Sequence, residues 1–248
     1  MAKTSGLGDN LYVGSADLSG DIGSVSSVRG SQALLDFTSI NQSAFDRELG
    51  LRDGGIDFNA WLNKTGAHIN LSALPRTDTL VSYFRGTTLG NAAACCIAKE
   101  IDYPATRNAD GSLSYAVTTL ANGYVLEWGK QLTAGKVTLT GSSTTNKIDF
   151  GATEGTTAFG AQAYIHVFAF TGTSATIKLQ SSTDDGAGDA YADITGGAFT
   201  TVTGPGFERI QTGRTASIER YVRLNVAGTF TNLQIAVVLV KNTATVTY

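Results

Sequence analysis

Cysteine, histidine, proline and methionine are scarce in this chain: 2, 2, 3 and 1 residues among 248. The two cysteines, Cys95 and Cys96, are adjacent. Neighbouring thiols bridge only through a strained ring, and two thiols without clustered histidines cannot complete a tetrahedral zinc site. They are expected to pack as small residues in a strand or at a helix end. No apolar run approaches the roughly 18 residues of a bilayer-spanning helix; runs such as 235–240 are far shorter. The first residues, Met1-Ala-Lys-Thr-Ser-Gly6, have no apolar stretch of the signal-peptide kind, so neither a leader nor a membrane partner is expected. Charge is thin as well, 16% against about 25% in ordinary domains. With 18 basic and 21 acidic residues there is no basic excess, which argues against a dedicated nucleic-acid binder.

Catalytic signatures are missing too. No nucleophile elbow, phosphate-binding loop, His-Glu-x-x-His or dinucleotide glycine pattern occurs. His166 lies in Tyr164-Ile-His-Val-Phe168 and reads as a strand residue, while His68 opens a candidate helix. Asp184-Asp-Gly-Ala-Gly-Asp189 gathers three carboxylates, as a calcium loop would, but lacks the spacing and terminal Glu of an EF-hand. It reads first as a solvated hairpin tip, with calcium as the alternative. Asp53-Gly-Gly reads as a turn. The expectation is a protein that is not an enzyme and carries no cofactor.

What is abundant is glycine, 29 residues, and threonine, which outnumbers it. β-Branched threonine favours strands, and glycine supplies turns and bulges. At this length folding buries roughly 70–75% of the extended chain's surface, so a core can form without covalent staples.

Residues 1–10 are small and polar and read as an arm. Alternation begins at Leu11 and Val13, and 33–40 reads as a strand. Residues 41–53 break the pattern: five charges and three large apolar residues without a period of two, a long excursion with one helical turn, before a strand at 56–62. The whole of 41–66 stands out as a long loop, and long, partly apolar loops in compact domains are usually functional. Phe45, Leu49 and Leu51 need a partner surface to cover them. A helix is expected over 68–74, ended by Pro75, and a strand pair over 79–84 and 92–100. Two further strands, 112–120 and 124–132, are joined at Ala121-Asn-Gly123, a hairpin signature. The Gly/Thr-rich stretch 141–158 reads as a linker. Beyond it, seven or so short strands with turn signals near 172, 183–188, 196–197, 204–206 and 227–228 describe a β-sandwich.

Several stretches resemble the major tail (tail tube) proteins of long, non-contractile-tailed phages, especially those of actinobacteria. They are Leu7-Gly-Asp-Asn-Leu-Tyr-Val-Gly14, Asp17-Leu-Ser-Gly-Asp-Ile-Gly23, Leu35-Asp-Phe-Thr-Ser-Ile40, Gly50-Leu-Arg-Asp-Gly-Gly-Ile-Asp-Phe58 and Ala121-Asn-Gly-Tyr-Val-Leu-Glu-Trp128. The last ninety residues, with Phe168-Ala-Phe-Thr-Gly-Thr-Ser174 and Arg220-Tyr-Val-Arg-Leu-Asn225, resemble sandwich domains at the C-termini of phage virion proteins.

The resemblance implies a mainly β protein. A tail-tube-type sandwich or barrel with one short flanking helix would occupy 11–140, and an Ig-like sandwich would follow over 159–248. It implies a virion tail subunit made in the host cytoplasm, self-assembling into stacked hexameric rings. Tail terminator, tape measure and distal tail proteins would be its other partners, and DNA would pass through the channel without specific binding. Ring–ring contacts would fall on the loop, at Phe45, Arg47, Glu48, Leu49, Leu51, Arg52, Asp53 and Trp61, and on the arm at Leu7 and Asp9. Two alternatives stand beside this: a capsid decoration protein, and a carbohydrate-binding sandwich using Trp61 and Trp128, the second of which is expected to be buried.

Overall fold

The computed structural model describes residues 5–73 and 77–245. It is mainly β, as expected. The early strands are β1 (Asn10–Val13), β2 (Ala16–Asp17), β3 (Ile22–Asp36) and β4 (Arg47–Trp61). Helix α1 (Ala67–Ser72) is followed by β5 (Thr79–Phe84), β6 (Ala92–Asp102), β7 (Ala105–Arg107) and β8 (Leu113–Ala121). Next come β9 (Glu127–Gln131), β10 (Val137–Leu139), β11 (Lys147–Asp149) and the short helix α2 (Gly151–Glu154). The chain ends with β12 (Ala161–Ser182), β13 (Ala192–Ala198), β14 (Gly206–Gln211) and β15 (Tyr221–Lys241).

Two compact units result, and they do not follow one another along the sequence. The first takes residues 1–20, 80–95 and 128–248; the second takes 21–79 and 96–127. The expected serial split at 141–158 therefore differs from the observed one. That stretch is no bare linker, because it holds β11, paired with β15, and α2. The physical reason lies in strand pairing over long sequence distance. β1 pairs with β5, and β9 pairs with β15, which draws early segments into the unit of the late strands.

In the first unit the strand order is β13-β12-β15-β9-β6-β5-β1-β2, with β14 on β12 and β10 and β11 on β15. β12 and β15 run antiparallel over nearly their whole lengths. The apolar stretches 161–170 and 175–180, expected as separate strands, are one strand with bulges, and so are 221–226 and 233–240. The signal at 172 is a bulge rather than a turn, and that at 227–228 lies in regularly paired strand. Gly172 and Gly228 permit the two backbones to close in: a Cβ on Gly172 would stand 2.5 Å from the Phe230 Cα, and one on Gly228 2.3 Å from the Ser174 carbonyl oxygen. Both halves of each strand feed one core, with Ala163, Ile165, Ile177 and Leu179 facing Val222, Leu224, Ile235 and Val237. A sheet that folds over itself at bulged corners is one way to build a sandwich.

In the second unit β8 joins β4 on one side and β6 on the other, β7 also pairs with β8, and β3 pairs with β4. Burial along β8 alternates, with Tyr115, Val117 and Thr119 inward. The Ala121-Asn-Gly123 hairpin is not formed. Asn122 instead donates its backbone N–H to the Ile97 carbonyl and its side-chain amide to Asp78. The chain bends at 123–124, but the next strand, β9, finds its partners in β15 and β6 rather than in β8. Helix α1 forms where the apolar spacing places it, and the expected stop at 74–75 lies outside the described residues. His68 on α1 stacks with Tyr115, which in turn stacks on Tyr103 at 4.3 Å.

Candidate functional site: an exposed hairpin arm

The expected excursion at 41–53 contains no helical turn; its second half is strand. β3 and β4 form one long hairpin whose register runs from Ile22↔Ala60 to Asp36↔Arg47. Residues 30–36 and 47–53 leave the body of their unit, and all but half-buried Gly50 are exposed. At about 3.3 Å per residue these strands extend roughly 23 Å before the tip. The tip, 37–46, is organised by its own polar groups. Phe37 N–H donates to the Asp46 carbonyl, Asp46 N–H to the Thr38 hydroxyl at 2.9 Å, and Ser39 N–H to the Gln42 side chain at 3.0 Å.

A two-stranded ribbon has no interior, yet this one is lined with apolar side chains. Leu34 pairs with Leu49 on one face and Leu35 with Glu48 on the other. Phe45 is 68% exposed, Leu51 88% and Ile40 fully so. Isolated hairpins are marginal in water, and exposed apolar patches of this kind mark interaction surfaces. The charges between them are weakly engaged: Arg47 sits 3.9 Å over the Phe45 ring and 4.0 Å from Asp36. Exposed pairs of this sort contribute little stability and serve better to fix register against a partner.

The root of the arm is built differently. Arg29 forms an ion pair with Asp57 and donates to the Thr119 carbonyl at 2.9 Å. Asp57 also accepts the Thr119 N–H, and the Thr119 hydroxyl both donates to the Ile56 carbonyl and accepts the Ile56 N–H, each at 2.9 Å. Gly54 and Gly55 lie in β4 and make no turn, contrary to the expectation for Asp53-Gly-Gly. They are glycines because a Cβ on Gly55 would stand 2.3 Å from the Thr119 carbonyl, and one on Gly54 2.7 Å from Leu126. An exposed ribbon is thus held at a closely bonded root. Thr119→Val should strand the buried Ile56 N–H and carbonyl and destabilise the protein by about 1–3 kcal/mol. Chemical denaturation reads this out, and an unchanged midpoint would remove the clamp from the account.

The sequence-derived contact residues fall into three groups. Phe45, Arg47, Glu48, Leu49, Leu51, Arg52 and Asp53 share the arm, with Arg52 opposite Gln32 and Asp53 opposite Ser31. Trp61 stands at the other end of β4, half exposed against Gly23, and is not part of the apolar ribbon. On the N-terminal segment Leu7 is exposed, whereas Asp9 is used internally. Asp9 accepts the Gly86 N–H at 2.9 Å, takes the Tyr83 hydroxyl and lies 3.3 Å from Arg85. Sequence reasoning missed the β3 half of the arm: Leu34, Leu35, Phe37 and Ile40. The available signal was Leu34-Leu35, adjacent apolar residues that no half-buried strand can place on one face.

Trp128, expected to be buried, is half exposed, and it belongs to the other unit from Trp61. The acidic loop 184–189 satisfies its own backbone: Asp184 accepts the N–H groups of Ala187, Gly188 and Asp189. Asp189 accepts from Thr183, and Asp185 binds Lys147 at 2.7 Å and the Tyr191 hydroxyl at 2.6 Å. Among the described residues no cluster of three or more potential metal ligands occurs. Cys95 and Cys96 are buried in β6, and burial pushes the Cys96 thiol up to about 12, far from a reactive thiolate. Ser82 and His166 lie at hydrogen-bond distance but are sealed from solvent.

No family model and no curated protein matches this chain. Among solved structures it is similar to the Dit (gp 19.1) protein of SPP1, described as a paradigm of the hub adsorption apparatus in phages infecting Gram-positive bacteria, with 11% identity and a TM-score of 0.34 over 94% of this chain and 99% of that one. Two chains of the phage P2 baseplate in its activated conformation, with Ca and with Sr, also match. They show 10% and 9% identity and TM-scores of 0.30 and 0.32, over 95% of this chain and 99% of each of those.

Proposed function

We propose that this chain is a structural subunit of a phage tail tube that assembles with copies of itself through the β3–β4 arm. The observation that supports this reading is the arm: a ribbon without a core, apolar on both faces, on a closely bonded root. Its sequence carries the tail-tube-like stretches 35–40 and 50–58. Six of its exposed side chains, Leu34, Phe37, Ile40, Phe45, Leu49 and Leu51, would each contribute roughly 1.5–3 kcal/mol when covered. The gross gain, about 9–18 kcal/mol, is close to the roughly 4–15 kcal/mol that association costs. One arm contact is therefore marginal alone, and a ring that repeats it becomes stable through multivalency.

In this reading the rings are hexameric, stack along the tail, and conduct DNA without binding it. Native mass spectrometry of the purified protein should show assemblies in multiples of six copies of the 25.8 kDa subunit. A spectrum of monomers and dimers alone at all concentrations would refute the hexamer.

A further inference from the structure

His166 is a fully buried histidine whose two ring nitrogens are both engaged, and the three segments it joins are far apart in sequence. Nδ1 lies 2.6 Å from the Gly14 carbonyl, which follows β1, and Nε2 lies 2.8 Å from the Ser82 hydroxyl on β5. A carbonyl can only accept, so Nδ1 carries the proton and Nε2 accepts from Ser82. Ser82 also lies 3.2 Å from the Cys95 sulfur on β6. The neutral ring satisfies every group in this chain of contacts.

We propose that His166 is an acid-sensitive latch: its protonation releases the N-terminal segment β1–β2 from the first unit while the β12–β15 sheet stays closed. The hydrogen bonds themselves could reverse, with Ser82 turning its proton toward Cys95. The charge is what the site cannot hold. Phe168 stacks on the ring at 5.9 Å and Tyr12 packs at 5.6 Å, both apolar surfaces. The carboxylate that acts on the ring is Asp17 on β2, and it is already paired with Lys136, whose ammonium also faces Phe168 at 5.6 Å. Tyr12 and, beyond Ser82, Cys95 are also titratable, and burial pushes the Tyr12 phenol upward.

Burial accordingly lowers the imidazole from 6.5 to about 4, with the Gly14 contact and Asp17 opposing only in part. An opened segment would give the ring its ordinary pKa. Opening should then be pH-independent above about 6.5, increase as pH falls, and level off below about 4. The segment that yields is set by topology. β5 and β12 have strands on both sides, whereas β1–β2 ends the strand order and is the element that can swing away.

Hydrogen exchange of the full chain tests this, after correction for the intrinsic pH dependence of exchange. Between pH 6.5 and pH 4, residues 10–18 should lose protection by on the order of a hundredfold, the ratio set by a shift of that size. Residues 161–167, paired with β15, should keep theirs. His166→Gln, which retains a donor and an acceptor but does not titrate, should abolish the acid increase. Lys136→Met leaves Asp17 free to counter the imidazolium and should shrink the increase to roughly tenfold. This second variant decides the matter if His166→Gln does not fold. Protection of 10–18 that is unchanged by acid, loss that is equal in all strands, an acid response that survives in His166→Gln, or an unaltered response in Lys136→Met would each overturn the latch.

Discussion

Replacing Phe45 and Leu51 together by serine is expected to yield soluble, folded subunits that no longer elongate. Both side chains are exposed in the subunit, so their removal opens no cavity and forfeits only the weak Arg47–Phe45 contact. In the assembly each would be covered, and losing two large apolar contacts weakens every arm by roughly 3–6 kcal/mol, a hundred- to ten-thousand-fold in affinity. Because a ring repeats the loss in each subunit, the effect on assembly should be all-or-none. Circular dichroism and sedimentation separate the outcomes. A variant that melts would mean the arm folds back on its own subunit in solution. One that polymerises normally would mean the arm is not the joint.

The second large effect is on stability. Gly228 has φ +145, and its Cβ would meet the Ser174 carbonyl oxygen at 2.3 Å and the Ala175 Cα at 2.9 Å, backbone atoms with no room to move. Gly228→Ala should therefore force β12 and β15 apart at the corner on which the core depends, at a cost of about 3–5 kcal/mol. In a protein of this size that lowers Tm by about 6–20 °C. Gly111→Ala is the control: φ is again positive, +91, but the added methyl meets nothing within 4 Å, so strain alone should cost about 1 kcal/mol. Equal losses for the two variants would show that the corner is not closely packed.

These two sites also mark what could and could not be read from the residues. Strand positions were legible where one face is buried and the other wet: β8 falls where alternation put it, and α1 where apolar residues recur at helical spacing. β12 and β15 were divided because a glycine inside a strand gives the same local signal whether it bends the strand or ends it. Only the partner backbone, more than fifty residues away, distinguishes a bulge from a turn. Ala121-Asn-Gly123 failed for the same reason, since a good turn sequence does not choose the strand that follows it. The arm was half legible. Phe45, Leu49 and Leu51 were recognisable as side chains without a local core, and the inner half of β4 was legible as a strand at 56–62, but its outer half was not, because a ribbon exposed on both faces has no period to detect. The interleaved units were hidden entirely, as they arise from pairings such as β1 with β5.

Negative-stain imaging of the concentrated wild-type protein bears most directly on the central claim that this chain assembles with itself through the arm. Rings with a central hole that stack into tubes of uniform width are expected, and their absence in the Phe45→Ser, Leu51→Ser variant at equal concentration. Dispersed single particles from the wild-type protein, with the arm open to limited proteolysis at every concentration, would contradict it.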